Sequence, residues 1–354
     1  MHIFSPGLQA GAIHELPQAL ACGLGNKIKR ALALITMNVW EFINQKQSAS
    51  IDVILLYVLE SKGSSPGRQG FNMAVAADGA FFGTIGGGIM EHKFVEMARA
   101  KLKKANDPTG VYKQVHDKSA AKDQSGMICS GEQTIFLYQL QQEDAKEVAL
   151  LIKSLNENKN GTLQLSSTGI LFSEKIPSQN FYFEQKDDEQ FLFIEKTGYK
   201  NILHIIGGGH CALALSKLMR DMDFYIQLYD EREGLNTMME NNFVHQKKLL
   251  SSYNELGSFV ESGENVYVVI MTFGYRSDDI ALRSLLKKQF KYIGLLGSKN
   301  KINKMVIDYR KENIDETLLQ KVHAPIGVQI KSQSTTEIAV SIAAEIIAVK
   351  NKDQ

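Results

Sequence analysis

Five residues, Ile202-Leu203-His204-Ile205-Ile206, run directly into Gly207-Gly208-Gly209-His210-Cys211-Ala212. This is GxGxxA at a strand-to-helix junction, and it restricts the possible folds more than any other stretch of the chain. Gly207 permits the tight turn, Gly209 lets the backbone approach a pyrophosphate, and Ala212 allows close packing of the helix, whose amino end carries partial positive charge. Asp230 closes the next strand. An acid there accepts hydrogen bonds from a ribose 2′-hydroxyl and repels a 2′-phosphate, so NAD or another unphosphorylated ribose is preferred over NADP, a preference that Arg232 weakens. A purely structural turn produces the same pattern, and the topology hosts many functions.

Beyond Asn201 the pattern alternates: strands at 202–206, 224–229, 266–272 and 292–296, and helices at 211–222, 278–289, 300–310 and 336–349. Such alternation implies right-handed βαβ crossovers and a mainly parallel sheet. Before it lies a mixed α/β region. An amphipathic helix at 39–47 leads into the nearly continuous apolar run 51–60 and then a Gly, Ser and Pro cluster at 62–70. Asp78-Gly79 between two short apolar runs predicts a hairpin with both turn residues at positive φ. Helical spacing follows at 89–104, with Met90, Phe94, Met97 and Leu102 for one face. Strands near 111–116, 133–139, 162–167, 180–184 and 191–195 and a helix at 143–155 complete the domain. The fold class is α/β, with a leader at 1–36, a mixed N-terminal domain at 37–198 and a Rossmann-like domain at 199–350. Met37 precedes the first regular pattern and is expected to be the functional start.

The glycine loops at the two ends of the hairpin suggest a second anion site. Ser64, Ser65 and Thr84 offer hydroxyls, Arg68 a charge, and Gly86-Gly87-Gly88 exposed amides just before a helix. Glu91 and His92 sit in that helix's first turn as a candidate ligand-contacting pair, although a carboxylate is favourable there in any case.

Forty basic and 39 acidic side chains leave a net charge of +1, which gives no broad footprint for nucleic acid or an anionic membrane. The apolar stretch 338–349 is broken by Glu345, so no membrane span is expected. Cys22, Cys129 and Cys211 lie far apart and form no CxxC pair, which fits a reducing, cytoplasmic setting. Cys211 falls on the helix after the glycine loop and reads as packing.

The segments Gly63–His92, GGGH at 207–210, MTFGYRSDD at 271–279, YIGLLGSKNK at 292–301 and HAPIG at 323–327 together resemble the XdhC/CoxI family of xanthine dehydrogenase accessory proteins. The resemblance covers Met37 to nearly the end. It implies a protein that binds molybdenum cofactor (molybdopterin), protects it during sulfuration and delivers it to a xanthine dehydrogenase-type apoenzyme, with a cysteine desulfurase as a further partner. The resemblance implies a chaperone rather than a turnover enzyme. Site residues carried by the resemblance include His210, Thr272 and Asp278, the last equally suited to the cap region of a helix. Cys129, in Met-Ile-Cys-Ser-Gly, resembles the family's Cys-Gly-Gly element apart from Ser130, and a thiolate suits a soft metal or sulfur centre. Phe273 and Tyr275 stand where many relatives carry histidine. Arg276 and His323 are secondary candidates. The ligand is expected in a crevice between or beside the domains.

Two other functions fit parts of the chain. An NAD-dependent oxidoreductase is supported by the glycine loop and Asp230, yet no tyrosine-lysine dyad, His/Asp pair or zinc-ligand cluster accompanies them. A nucleotide-sensing module needs only the binding loop. Dimerisation fits either case, since symmetric homodimers are the commonest soluble oligomers.

Overall fold

The computed structural model describes residues 37–104, 110–115, 131–187 and 190–352. The expected leader and Cys129 lie outside them. The described residues form two compact units, one running to Asn156 with Gly161–Glu195, the other comprising Glu157–Asn160 with Lys196 onward.

In the first unit, helix α1 (Val39–Ser48) begins at a reciprocal cap, Asn38 accepting from the Glu41 amide while Glu41 accepts from the Asn38 amide, both at 3.0 Å. The strands are β1 (Val53–Gly63), β2 (Asn72–Ala76), β3 (Phe81–Gly83), β4 (Gly110–Val115) and β5 (Gly131–Gln139), in the order β3-β2-β1-β5-β4 with antiparallel pairing throughout. The unbroken apolar run of β1 has a simple cause: both of its faces are covered. Val53, Leu55, Tyr57 and Leu59 join a core with Trp40 and Ile43 of α1 and Val148 and Leu151 of α3 (Asp144–Asn156). Ile54, Leu56 and Val58 pack with Met90, Phe94 and Ala98 of α2 (Gly88–Leu102). A second sheet, β7-β6-β9-β8, consists of β6 (Gly161–Ser166), β7 (Gly169–Ser173), β8 (Phe181–Gln185) and β9 (Phe191–Thr197). The hairpin between β2 and β3 departs from expectation. Only Gly79 has positive φ, 89°, and its amide donates to Ala76 O, so the turn uses a single left-handed residue rather than two.

The second unit holds one six-stranded sheet, ordered β12-β11-β10-β13-β14-β15 and parallel throughout. Its strands are β10 (Asn201–Ile206), β11 (Phe224–Asp230), β12 (Gln246–Leu249), β13 (Gly263–Ile270), β14 (Phe290–Leu295) and β15 (Val322–His323). Helices α4 (His210–Arg220) and α7 (Thr335–Lys350) cover the face bearing Leu203, Ile205, Tyr267 and Val269. The opposite face, with Ile206, Val268 and Ile270, packs against α5 (Tyr275–Leu285) and α6 (Lys299–Lys311). Strand order reverses between β10 and β13, which is where such sheets open a ligand crevice at their carboxyl ends. No helix of the described residues is long and apolar enough to cross a membrane.

Candidate functional site

The two glycine loops of the first unit touch. A Cβ on Gly67 would lie 2.0 Å from Ile85 O, and one on Gly86 would lie 2.4 Å from Gly67 N, so each glycine is there because the other backbone leaves no room. Gln133 Nε2 ties them together, donating to Gly67 O at 2.9 Å and Ile85 O at 3.2 Å. Of the amides expected to await a ligand, that of Gly87 is taken by Glu91 and that of Gly86 by Thr84. Glu91 Oε2 accepts from Thr84 Oγ1 at 2.6 Å and from the amides of Ile85 and Gly87 at 3.0 Å each, while Gly86 N donates to Thr84 Oγ1 at 3.1 Å. Glu91 therefore shapes the loop from within. Gly87 and Gly88, at φ 75° and 71°, open α2 with no side-chain cap.

Ser64 and Arg68 are exposed, Arg68 Nη1 donating to Gly63 O at 3.2 Å. Ser65 is buried, and its hydroxyl finds no partner among the described residues. It lies against Gly131, where a Cβ would sit 2.7 Å from Ser65 N. Gly131 pairs with Gly63, so the strand that follows Cys129 in sequence begins opposite this loop. The Ser64–Ser65 backbone, together with Lys62 O, leaves no room for a Cβ there, which explains why β5 opens on glycine.

In the second unit, Gly207 (φ 108°) is forced by the loop after β13, since a Cβ would meet Met271 O at 2.4 Å. Gly209 is different. It is extended, forms the amino end of α4 without a side-chain cap, and nothing lies within 4 Å of its Cβ direction. It borders a cavity of about 890 Å³ together with His210, Cys211, Arg232, Thr272 and Phe273, a size suited to a cofactor-like ligand. Burial raises the Cys211 thiol pKa, which disfavours the thiolate in keeping with packing.

Asp230 does not face this cavity. It is fully buried, and Oδ2 accepts from Gly208 N at 2.6 Å and Arg232 Nη2 at 2.7 Å while Oδ1 accepts from Arg232 N at 2.8 Å and Nε at 2.9 Å. Burial pushes its pKa up, but Arg232 and the Gly208 and Arg232 amides more than compensate and hold it below the usual carboxylate range. Arg232 rises instead toward Phe273, 5.6 Å from the ring centroid, and Phe273 is 86% exposed.

Asp278 is likewise fully buried. It accepts from Thr272 N at 3.0 Å and Thr272 Oγ1 at 2.7 Å, and Lys301 Nζ forms an ion pair with it while donating to Leu296 O at 2.9 Å. The helix starts at Tyr275, three residues earlier than its spacing predicts, so Asp278 lies inside the first turn and braces the loop rather than capping the helix. Arg276 is exposed in the same turn of α5. His323 stands on the edge strand, Nδ1 3.3 Å from Glu345 Oε1, and Glu345 Oε2 accepts from Tyr292 and the Gly327 amide. Lys301 and the bracing function of Glu91 escaped the sequence reading. Both belong to segments that attracted notice, but their partners become visible only in three dimensions.

Two family models match in order: the XdhC and CoxI family over residues 47–112, spanning the glycine hairpin, and the XdhC Rossmann domain over residues 203–346. The chain belongs to the XdhC and CoxI family. It is similar to the Escherichia coli protein YqeB, 25% identical over 321 residues that make up 89% of this chain and 47% of that protein. The chain thus spans about half the length of this relative. It also resembles a probable xanthine dehydrogenase subunit from Bacillus subtilis, 22% identical over 85% of this chain and 94% of the other. A solved structure described as a xanthine dehydrogenase from Bacillus halodurans superposes with a TM-score of 0.64 at 22% identity, covering 90% of this chain and 97% of that one, which establishes a shared fold.

Proposed function

We propose that this protein is a maturation factor for a xanthine dehydrogenase-type molybdenum hydroxylase, binding molybdenum cofactor, shielding it during sulfuration and delivering it to the apoenzyme. The observation that carries the reading is one chain in which the family's glycine hairpin precedes a Rossmann unit whose loop glycine, Gly209, leaves open space beside a cofactor-sized cavity. The names of the Bacillus relatives support a xanthine dehydrogenase-type partner. When bound, the cofactor supplies the metal centre that the recipient enzyme uses. The residues of this chain bind and orient: the uncapped amino end of α4 and Arg232 suit phosphoryl oxygens, and Ser64, Ser65 and Arg68 offer polar contacts beside the strand that follows Cys129. Cys129 is the proposed contact to molybdenum or its sulfur. A cysteine desulfurase is the proposed sulfur source, and the cytoplasm the proposed location.

Anaerobic purification from cells that make molybdenum cofactor, with metal analysis and fluorescence of the oxidised pterin, tests this. Near-stoichiometric molybdenum with pterin is the expected result, and Cys129→Ala is expected to lower molybdenum or sulfur retention. Protein that is reproducibly free of pterin yet reduces a carbonyl substrate with NADH sinks the proposal in favour of an oxidoreductase.

A further inference from the structure

A dinucleotide site of the usual kind reads a ribose diol with the acid that ends the second strand. Here that acid has nothing left to give. Two donors lie on each Asp230 oxygen, at 2.6 to 2.9 Å, against roughly four lone-pair sites on a carboxylate. Its side chain has 0% exposure, whereas that of Arg232 has 36%.

The groups that border the cavity are cationic and aromatic. Arg232 Nη1 makes no hydrogen bond among the described residues, and the guanidinium overlies a phenyl ring that is 86% exposed. A bare Phe273 at a cavity rim leaves one face for a flat ring to stack on. Gly209, at the amino end of α4, borders the same cavity, and nothing lies within 4 Å of where its Cβ would stand.

We propose that this cavity selects a ligand with a phosphoryl group beside a flat heteroaromatic ring and does not read a ribose diol: Phe273 stacks the ring, and Arg232 with the amino end of α4 receives the phosphoryl oxygens. The chemistry has two sources, a phosphorylated pterin and a nucleoside 2′-phosphate, and only the first of these rests on the maturation reading above.

The test uses the full chain and two variants. Gly209→Ala puts a methyl into the cavity at a position whose extended backbone accepts alanine. Arg232→Gln combined with Asp230→Asn removes the guanidinium without stranding a buried charge, and unfolding curves establish that both variants fold. Each protein is titrated calorimetrically with NADP⁺ and NAD⁺, and its pterin content is measured after anaerobic purification. If the source is a nucleoside 2′-phosphate, NADP⁺ binds about ten-fold or more tighter than NAD⁺, the scale of one charge-assisted hydrogen bond, and both variants lose that preference. If the source is a pterin phosphate, the wild type retains pterin and both variants lose most of it. In a wild type that holds no pterin, NAD⁺ binding as tight as NADP⁺ overturns the proposal, and so does unchanged ligand in Gly209→Ala or a wild type that takes neither ligand. Pterin retained equally by all three proteins defeats this assignment while sparing the maturation role, and NADP⁺ selectivity without pterin does the reverse.

Discussion

Arg232 engages both carboxylate oxygens of Asp230, Nε to Oδ1 at 2.9 Å and Nη2 to Oδ2 at 2.7 Å. The acid is wholly buried while the base reaches solvent, so the acid serves the glycine loop and the base serves the surface. Asp230→Ala leaves the Gly208 amide and the guanidinium without their acceptor. It is expected to cost about 2–4 kcal/mol, somewhat below a fully buried pair because Arg232 is partly solvated. Urea unfolding measures it, and an unchanged midpoint would show that the loop does not depend on the pair.

Glu91→Ala removes one oxygen that serves three donors, Thr84 Oγ1 and the amides of Ile85 and Gly87. A loss on the order of 2 kcal/mol is expected. Hydrogen exchange reads it locally, since the Ile85 and Gly87 amides should lose protection while those of the second unit keep theirs. Glu91→Gln, which retains an acceptor, should restore part of it.

Glycine substitutions should separate along the loops. Gly67→Ala drives a methyl into the Ile85 backbone and Gly207→Ala into the Met271 backbone, the latter also at φ 108°. Both are expected to reduce soluble yield sharply and to lower the unfolding free energy by several kcal/mol, on the scale of overpacking combined with backbone strain. Gly209→Ala should express and unfold as the wild type does.

Two histidines make the second unit acid-sensitive. Burial, assisted by Lys288, pushes His204 down to about 4, and burial, assisted by Arg220, does the same to His245. His245 accepts from the Ile226 amide at 2.9 Å through Nδ1, a bond that only the unprotonated nitrogen makes. The unfolded chain binds these protons near pH 6.5 and the folded one near 4, so the contribution is complete above pH 6.5 and is lost as pH falls toward 4. The slope is roughly 1.4 kcal/mol per pH unit for His204 and less for the partly exposed His245. Unfolding curves at pH 7.5, 6 and 5 should show declining stability with a shallower decline in His204→Phe; an equal slope in that variant would remove His204 from the account.

The parts of this structure that were legible in the sequence are those whose burial pattern is local. Strand β10 and its glycine turn announce themselves because a strand covered on both faces is apolar at nearly every position, His204 being the buried exception, and the turn admits only small residues. Strand β12 could not be read: Gln246, Lys247, Lys248 and Leu249 are all exposed at the sheet edge, so no alternation marks them. Strand β15 is only two residues long. At the sites, the sequence located Asp230, Asp278 and Glu91 but not their direction. Each carboxylate turns inward onto its own loop, because a partner distant in sequence (Lys301) or a backbone amide brought near by the turn is a better neighbour than solvent. Arg232 was seen only as a complication to a ribose preference, since two residues of sequence separation do not reveal that it would take up the whole acid.

The pairing of β1 with β5 has a temporal consequence. Partners such as Ile54 and Gln139 meet across a long loop of chain, and closing such a loop must precede the reward of the contacts it brings. The apolar residues of β1 are therefore synthesised well before the strand that covers one of their edges. During that interval the nascent chain carries a long, half-paired apolar strand covered by α1, the β2–β3 hairpin and α2 but open along the edge that β5 takes, the kind of intermediate that chaperones hold and that aggregates when expression outruns them.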